Sequence, residues 1–413
     1  CLVALGIGID YLERHVTIDK EMDGVDHSSS STFDEVARLA DYCRLAAAGQ
    51  YLDSPRVVNQ GEKMALQNIG RGLYAKSDLS AGTKLARAMF DYRSPRLGVG
   101  PEALEGTTPV VLRSPLRAGE PLTESAITGE ANPLSQWHLD WGVQHRISLP
   151  VRPRDYQTVM ESIPLANFEF HLSYGDVKEV SRDFRGANLS GVDFSVHVPD
   201  YLDGYTLINP FSEDTGVQTA SRDVFKQVRG FSEVLAESQT GIVRVVASLS
   251  QYAGPREGFY SEVAELFEDL SDDRVVFSLQ WLPPFAWYFG GSVELNLVNS
   301  VADLEHIQNY QIPITLDTSH LLMGVNSGRL SVEHVLESLD SNIIHLHVSG
   351  ADGVDGEGTS FPASELEEDL LERLLAPRFS AIPKVLESWQ GHLDDFAGFK
   401  SAIRKISESA ARG

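Results

Sequence analysis

Ile312-Pro313-Ile314-Thr315-Leu316-Asp317-Thr318-Ser319-His320 is the stretch that decides the fold. An apolar run of strand length stops at an aspartate, and an imidazole follows three residues on, where strand gives way to loop. The two side chains can therefore face one cavity. Further along, Ile343-Ile344-His345-Leu346-His347-Val348 puts two histidines on one side of a strand, because side chains alternate with period two. Val385-Leu386-Glu387-Ser388-Trp389 ends another apolar run on a carboxylate. Upstream, similar runs end near Pro150, Ser173, His197, Ser250 and Gln280. Amphipathic stretches such as Ser261–Phe267 and Ser331–Leu336 intervene. Eight strand–helix units over residues 134–411 match a (β/α)8 TIM barrel in number and length. A doubly wound sheet rarely carries eight repeats.

In such a barrel the strand C-termini converge on one face. His171, His197, Asp317, His320, His347 and Glu387 can then meet although they are scattered along the chain. Taken singly, each has an ordinary reading: a hydrogen-bonded strand-end histidine, an aspartate capping the next helix, a glutamate paired with an arginine. Together they fall at the ends of five strands, whereas unrelated polar residues would scatter along them. Mixed oxygen and nitrogen ligands at an open site suit a divalent metal, Mn, Zn, Co or Mg, rather than a sulfur-bound structural zinc. Pro283-Pro284-Phe285-Ala286-Trp287-Tyr288-Phe289-Gly290-Gly291 reads either as an aromatic lid over a sugar face, with Trp287 binding substrate, or as a packed loop. Asp352, Asp355 and Glu357 read as solvated turn residues in a Gly-rich loop.

The chain of 413 residues suits two or three domains, and its net charge of −25 disfavours nucleic acid as a partner. No apolar run is long enough to span a membrane. Two cysteines, Cys1 and Cys43, cannot build a disulfide framework and point to a cytoplasmic protein, with Cys43 a buried, inert thiol. The start at Cys1 has neither Met nor signal-peptide features and reads as a fragment of a longer chain.

Residues 1–50 read as strand, loop and helix, with Tyr11–Val16 strand-like and Thr32 capping a helix from Phe33. One β-α unit cannot bury both faces of its strand, so it needs a neighbour. Residues 58–128 read as a small β-rich module with a pseudo-repeat. Gly72–Thr83 is echoed by Val110–Glu120, each with Ala-Gly at a turn (Ala81-Gly82 and Ala118-Gly119).

Residues 134–411 resemble the xylose isomerase-like superfamily of sugar isomerases, epimerases and apurinic endonucleases. The resemblance implies a metal held after strands five to eight, at Gln280, Asp317 with His320, His347 and Glu387, with His171 and His197 lining the pocket or binding additional metal. It implies Glu387 and His320 as catalytic residues. The family carries a glutamate where Gln280 stands. An amide ligates only through a neutral oxygen, which weakens a hard cation's site and removes an acid–base group.

Glu13-Arg14-His15-Val16-Thr17-Ile18-Asp19 followed by Gly24-Val25-Asp26-His27 resembles the end of the sialic acid synthase barrel. The resemblance makes His15 a metal ligand and Asp26 a substrate-side acid. Residues 58–128 then look like the SAF, or antifreeze-like, domain of the same synthases (β-clip-like). That domain caps a partner subunit's site, which implies a homodimer, and supplies a substrate-binding arginine. In Arg93-Ser94-Pro95-Arg96-Leu97-Gly98-Val99-Gly100-Pro101, Ser94 takes that arginine's place, leaving Arg93 or Arg96 to substitute.

The expectation is an α/β protein: a β-α remnant of one barrel, a SAF domain and a TIM barrel. Its function would be carbohydrate biosynthesis of the sialic acid type, with a metal-dependent isomerase or epimerase barrel acting on a sugar or sugar phosphate. With one β-α unit, the remnant cannot perform synthase chemistry by itself. The alternatives are a non-catalytic sugar-binding or assembly barrel, and an apurinic endonuclease-like metallohydrolase.

Overall fold

The computed structural model describes residues 11–49, 60–106, 108–129, 133–180, 191–389 and 391–412, with Ala4, Ile9, Phe184 and Leu189. Cys1 lies outside the described residues. The chain forms two compact units, Cys1–Val58 and Asn59–Gly413.

In the first unit, residues 11–16 are extended but join no ladder. A single parallel bridge, Val16 to Ser31, takes the place of the expected strand. Thr32 does cap the helix Phe33–Gly49: its Oγ1 accepts from Glu35 N while Glu35 Oε2 accepts from Thr32 N, a reciprocal capping box. Cys43 in this helix is half-buried rather than buried.

The second unit begins with the helix Gln60–Ile69 and a small module around Leu73, Ala75, Phe90, Val99, Leu112, Leu116, Leu122 and Ala126. Strands β1 (Gly72–Ala75) and β2 (Phe90–Arg93) pair antiparallel. The two copies of the repeat pair with each other: Leu79 and Leu116 exchange backbone hydrogen bonds, and Leu112 N donates to Thr83 O. The repeated glycines, Gly82 and Gly119, have φ of +87° and +86°, a conformation open to glycine at little steric cost.

The barrel strands are β3 (Ile147–Val151), β4 (Asn167–His171), β5 (Asp193–His197), β6 (Val243–Ala247), β7 (Val275–Gln280), β10 (Ile314–Asp317), β11 (Ile343–Val348) and β14 (Lys384–Leu386). They close in chain order, β14 pairing with β3, all parallel. The protein is an α/β protein built on a closed eight-stranded parallel barrel. Two ribbons interrupt the alternation: β8 (Phe285–Tyr288) with β9 (Gly291–Glu294), and β12 (Gly350–Asp352) with β13 (Gly356–Thr359). Phe289 and Gly290, both at positive φ, turn the first ribbon tightly.

The long outer helices bury one stripe, whereas the helix Thr318–Asn326 is buried on all sides over its first seven residues. Helix Thr215–Ser238 turns Phe225, Val228, Phe231, Ser232 and Leu235 inward, and the Asp214 carboxylate caps its start. Inside, the barrel is polar: Ser278 and Thr315 bond at 2.7 Å, and Ser148, Glu169 and His345 are fully buried. A polar interior is stable only if its groups satisfy one another, and that requirement shapes the site. Among the described residues, no helix is long and apolar enough to cross a membrane.

Candidate functional site

Strand register brings the histidines together. His171 pairs with His197 across β4 and β5, and Asp317 with His347 across β10 and β11. The rings of His171, His197 and His347 form a triangle with centroids 5.0, 5.7 and 6.0 Å apart. Glu387 closes the group, its Oε2 3.1 Å from His347 Nδ1 and its Oε1 3.4 Å from His171 Nε2.

At the centre stands Glu169, which the sequence reading passed over. Its Oε1 lies 2.9 Å from both His171 Nε2 and His347 Nε2. Its Oε2 accepts from Ser195 Oγ at 2.7 Å and pairs with His345 Nε2 at 2.6 Å. Burial alone would raise the Glu169 carboxyl, but the adjacent His347 and His345 hold it well below the usual carboxylate range. Burial likewise opposes charge on His347, yet Glu387 and Glu169 hold it well above an ordinary histidine. Burial would raise Glu387, but His347, His171 and His197 keep it far below the usual range. On His171 burial outweighs Glu169 and leaves it at about 4.

Gln280 is a hub of a different kind. Its carbonyl accepts from Ser248 Oγ at 2.5 Å and faces His197 Nε2 at 3.2 Å; its amide donates to Asp317 Oδ2 at 3.1 Å and faces His347 Nδ1 at 3.2 Å. Asp317 Oδ1 accepts from Ser319 N, Ser319 Oγ and His320 N, so this carboxylate caps the helix Thr318–Asn326. Burial leaves Asp317 above the ordinary carboxylate value despite His320 and His347. His320 Nδ1 bonds Trp281 O at 2.7 Å and its Nε2 lies 3.2 Å from Glu357. Burial opposes its charge, but Asp317 and Glu357 hold it at about 9. Glu357 is thus a partner of His320 while remaining partly exposed to solvent, and it stands on a short strand rather than in a turn.

The cluster opens into a cavity of about 760 Å³ at the C-terminal mouth of the barrel. Its lining includes His171, His197, Gln280, Trp287, His320 and Glu387, with Arg96 from the β-rich module. Arg96 is paired with Glu102. Arg93 is not part of the lining; it bonds Asp91 at 2.8 Å and lies over the Tyr74 ring. His15 and Asp26 belong to the first unit, where they face each other at 3.7 Å, both exposed. A second cavity of about 770 Å³, lined by Asn209, Tyr252, Arg256 and Leu297 among others, lacks the imidazole–carboxylate cluster.

Two sets of side chains stand where a metal could be held. Gln280 and Asp317 spend their polar atoms on each other, on Ser248 and on a helix N-terminus, so they fit poorly. Glu169, His171, His347 and Glu387 each offer one ligand atom, all within 4.8 Å of one another. Ligands about 2.1 Å from one ion stand roughly 3.0–3.4 Å apart at angles of 90–110°; Glu169 with His171, Glu169 with His347 Nε2, and His171 with Glu387 stand 2.9, 2.9 and 3.4 Å apart. His347 Nε2 is buried without a hydrogen bond, although Glu169 Oε1 is 2.9 Å away. In the metal-free protein the proton that Glu387 and Glu169 hold on His347 accounts for this contact, and a divalent cation would take that proton's place. His345 and Ser195 hold the far oxygen of Glu169, the support that orients a metal-binding carboxylate. This second set fits a divalent cation.

Residues 1–50 match the model of the NeuB family. The chain is 35% identical over 90 residues to N-acetylneuraminate-9-phosphate synthase of Mus musculus, covering 22% of this chain and 24% of that protein. It is 26% identical over 127 residues to N,N'-diacetyllegionaminic acid synthase of Legionella pneumophila, covering 29% and 33%. The matches thus span about a quarter to a third of the curated relatives' length. Among solved structures, L-ribulose 3-epimerase is similar with TM-score 0.46 and 15% identity, covering 65% of this chain and 95% of that one. The IolI protein with a binding zinc atom is similar with TM-score 0.43 and 13% identity, covering 65% and 97%. The chain is therefore similar to the NeuB family over residues 1–50 and forms a closed parallel barrel beyond them.

Proposed function

We propose that the barrel is a divalent-metal-dependent isomerase or epimerase, acting beside the carbonyl of a sugar in sialic-acid-type carbohydrate biosynthesis. The observation that carries this reading is the convergence of Glu169, His171, His347 and Glu387, with His171 and Glu387 lining the cavity. The NeuB-family match of residues 1–50 supports the sugar context. The charge of −25 goes with a small-molecule substrate rather than nucleic acid, and the low cysteine count with a cytoplasmic setting.

A bound divalent ion would supply Lewis-acid polarisation of substrate oxygens. Glu169, His171, His347 and Glu387 would hold it. Glu387 faces the cavity as a carboxylate at neutral pH and is the group to take the proton next to the carbonyl. His320, charged at neutral pH, is placed to donate to a substrate oxygen once Glu357 yields its hydrogen bond. Trp287 supplies an apolar wall for a sugar face. His15, Asp26 and Arg93 are assigned no part in this barrel chemistry.

A second reading, a non-catalytic sugar-binding barrel, is favoured by Gln280, whose two amide atoms are both satisfied within the protein. Metal analysis after chelation and Mn reloading separates the two, together with deuterium uptake by candidate ketoses in D2O. One ion per chain, at least tenfold weaker in Glu169→Gln, and solvent exchange at a carbon beside the carbonyl are expected. Absence of bound ion and of exchange would sink the isomerase reading.

A further inference from the structure

We propose that Arg152, Arg154 and His392 form an anion subsite on the rim of the barrel cavity, and that the substrate carries a phosphate monoester or carboxylate there. This deepens the reading of the barrel as a sugar-converting site and rests on it.

Topology brings the three residues together. Arg152 follows β3 directly, and His392 lies in the loop after β14. Those two strands are neighbours in the barrel, with Lys384 opposite Ile147 and Val385 opposite Ser148. Arg152, Arg154 and His392 all line the cavity that holds His171 and Glu387.

Their charge is out of keeping with the rest of the molecule. Acidic residues outnumber basic ones by 59 to 34, yet neither guanidinium has a carboxylate within 4 Å among the described residues. The cavity's acids are committed elsewhere. Glu387 serves His347 and His171, and Glu357 serves His320. Asp155, the nearest in sequence, accepts from the backbone N of Arg152 at 2.7 Å rather than from its guanidinium.

The cations also work against one another. Burial lowers the pKa of Arg152, Asp155 opposes it and Arg154 adds to it; burial, then Arg152, lowers His392 against the pull of Asp155. Arg152, partly buried and with its nearest carboxylate tied to a backbone N–H, has lost hydration that an oxyanion restores, and an anion also relieves the repulsion between Arg152 and Arg154. Guanidinium is the side chain suited to bidentate contact with phosphate or carboxylate. A sugar whose reacting carbons sit by Glu387 and whose anionic end reaches this rim would be held at both ends.

The test uses the full chain after chelation, so that phosphate meets no metal. Inorganic phosphate and acetate are titrated at fixed ionic strength into wild type, Arg152→Gln and Arg152→Gln/Arg154→Gln, and glucose is compared with glucose 6-phosphate. Phosphate or acetate binding that falls at least tenfold in the single variant and vanishes in the double one is expected; the stronger of the two probes identifies the anion class. Circular dichroism and Mn binding, within about threefold of wild type, report that the variants are folded. Anion affinity unchanged in the double variant, or no anion binding by the wild type, overturns the subsite. If Mn does not bind but phosphate binds through Arg152, the metal reading falls and the anion subsite stands.

Discussion

Glu169 and His171 stand two residues apart on one strand, and Oε1 of Glu169 lies 2.9 Å from Nε2 of His171. Period two sets both side chains on the inner face of the barrel, so a single strand delivers a carboxylate and an imidazole to the same point. The carboxylate also faces His345 and His347 on β11, across the interior. One buried negative charge therefore organises three imidazoles.

Glu169→Gln keeps the shape and removes that charge. His347 loses its buried counter-ion and His345 a buried hydrogen-bond partner, and breaking such a network costs about 3–5 kcal/mol. Urea unfolding of the metal-free protein should show this as a lower midpoint at unchanged slope. Mn affinity should fall about tenfold or more. A variant as stable as wild type would show that Glu169 is not the organising charge.

Gln280→Glu replaces the amide that donates to Asp317 with a like charge. In chelator the variant should be less stable by about 1–3 kcal/mol, because Asp317 loses a buried donor. The added carboxylate should raise divalent-ion affinity by about tenfold or more, so excess Mn should narrow or reverse the difference. Thermal melts with EDTA and with Mn give both values. A deficit equal in the two conditions would show that position 280 has no access to the ion.

The strand ends were legible because an apolar run that stops at a polar residue marks where a barrel strand meets its loop. His171, His197, Gln280, Asp317, His347 and Glu387 all stand at or within a residue of such ends. Glu169 was missed because it sits inside its run, Asn167-Phe168-Glu169-Phe170-His171. Its spacing of two from His171, on a strand otherwise flanked by phenylalanines, was the available signal. Residues 11–16 have strand-like composition but form no ladder among the described residues, and composition alone does not provide a partner strand. The roles of Gln280 and Glu357 depend on contacts with other strands, which no local pattern reveals.

Lys384 lies at the opposite end of β14 from Glu387, buried, with its ammonium donating to Phe379 O and Ile382 O at 2.8 and 3.1 Å. Burial lowers its pKa to about 8, and Arg146 adds to the effect. The unfolded chain, titrating near 10.4, therefore holds more protons than the folded one between those values. Stability from this group rises with pH from about 8 to about 10.5, by up to about 3 kcal/mol. Lys384→Met should remove that rise, as urea titrations at pH 7.5, 9 and 10.5 would show. An unchanged slope would assign the rise to another group.

Asp394 joins the β-rich module to the barrel, accepting from Ser125 N at 3.2 Å and Ser125 Oγ at 2.6 Å. Asp394→Ala should cost about 1–3 kcal/mol. Hydrogen exchange should accelerate over residues 60–129 more than in the barrel strands. Uniform acceleration would mean that the module does not loosen separately.

Gly61 governs where Trp287 rests. A methyl group at Gly61 would lie 1.7 Å from Cε2 of the indole, far inside contact distance. Trp287 also lines the cavity, so displacing it changes the wall proposed to face the sugar. Gly61→Ala should cost about 1–3 kcal/mol through overpacking. It should also shift tryptophan emission by a component that is absent when Trp287→Phe is introduced as well. In the double variant the smaller ring relieves the clash, and most of the lost stability should return. If Gly61→Ala leaves stability and emission unchanged, the helix Gln60–Ile69 does not press on Trp287 in solution.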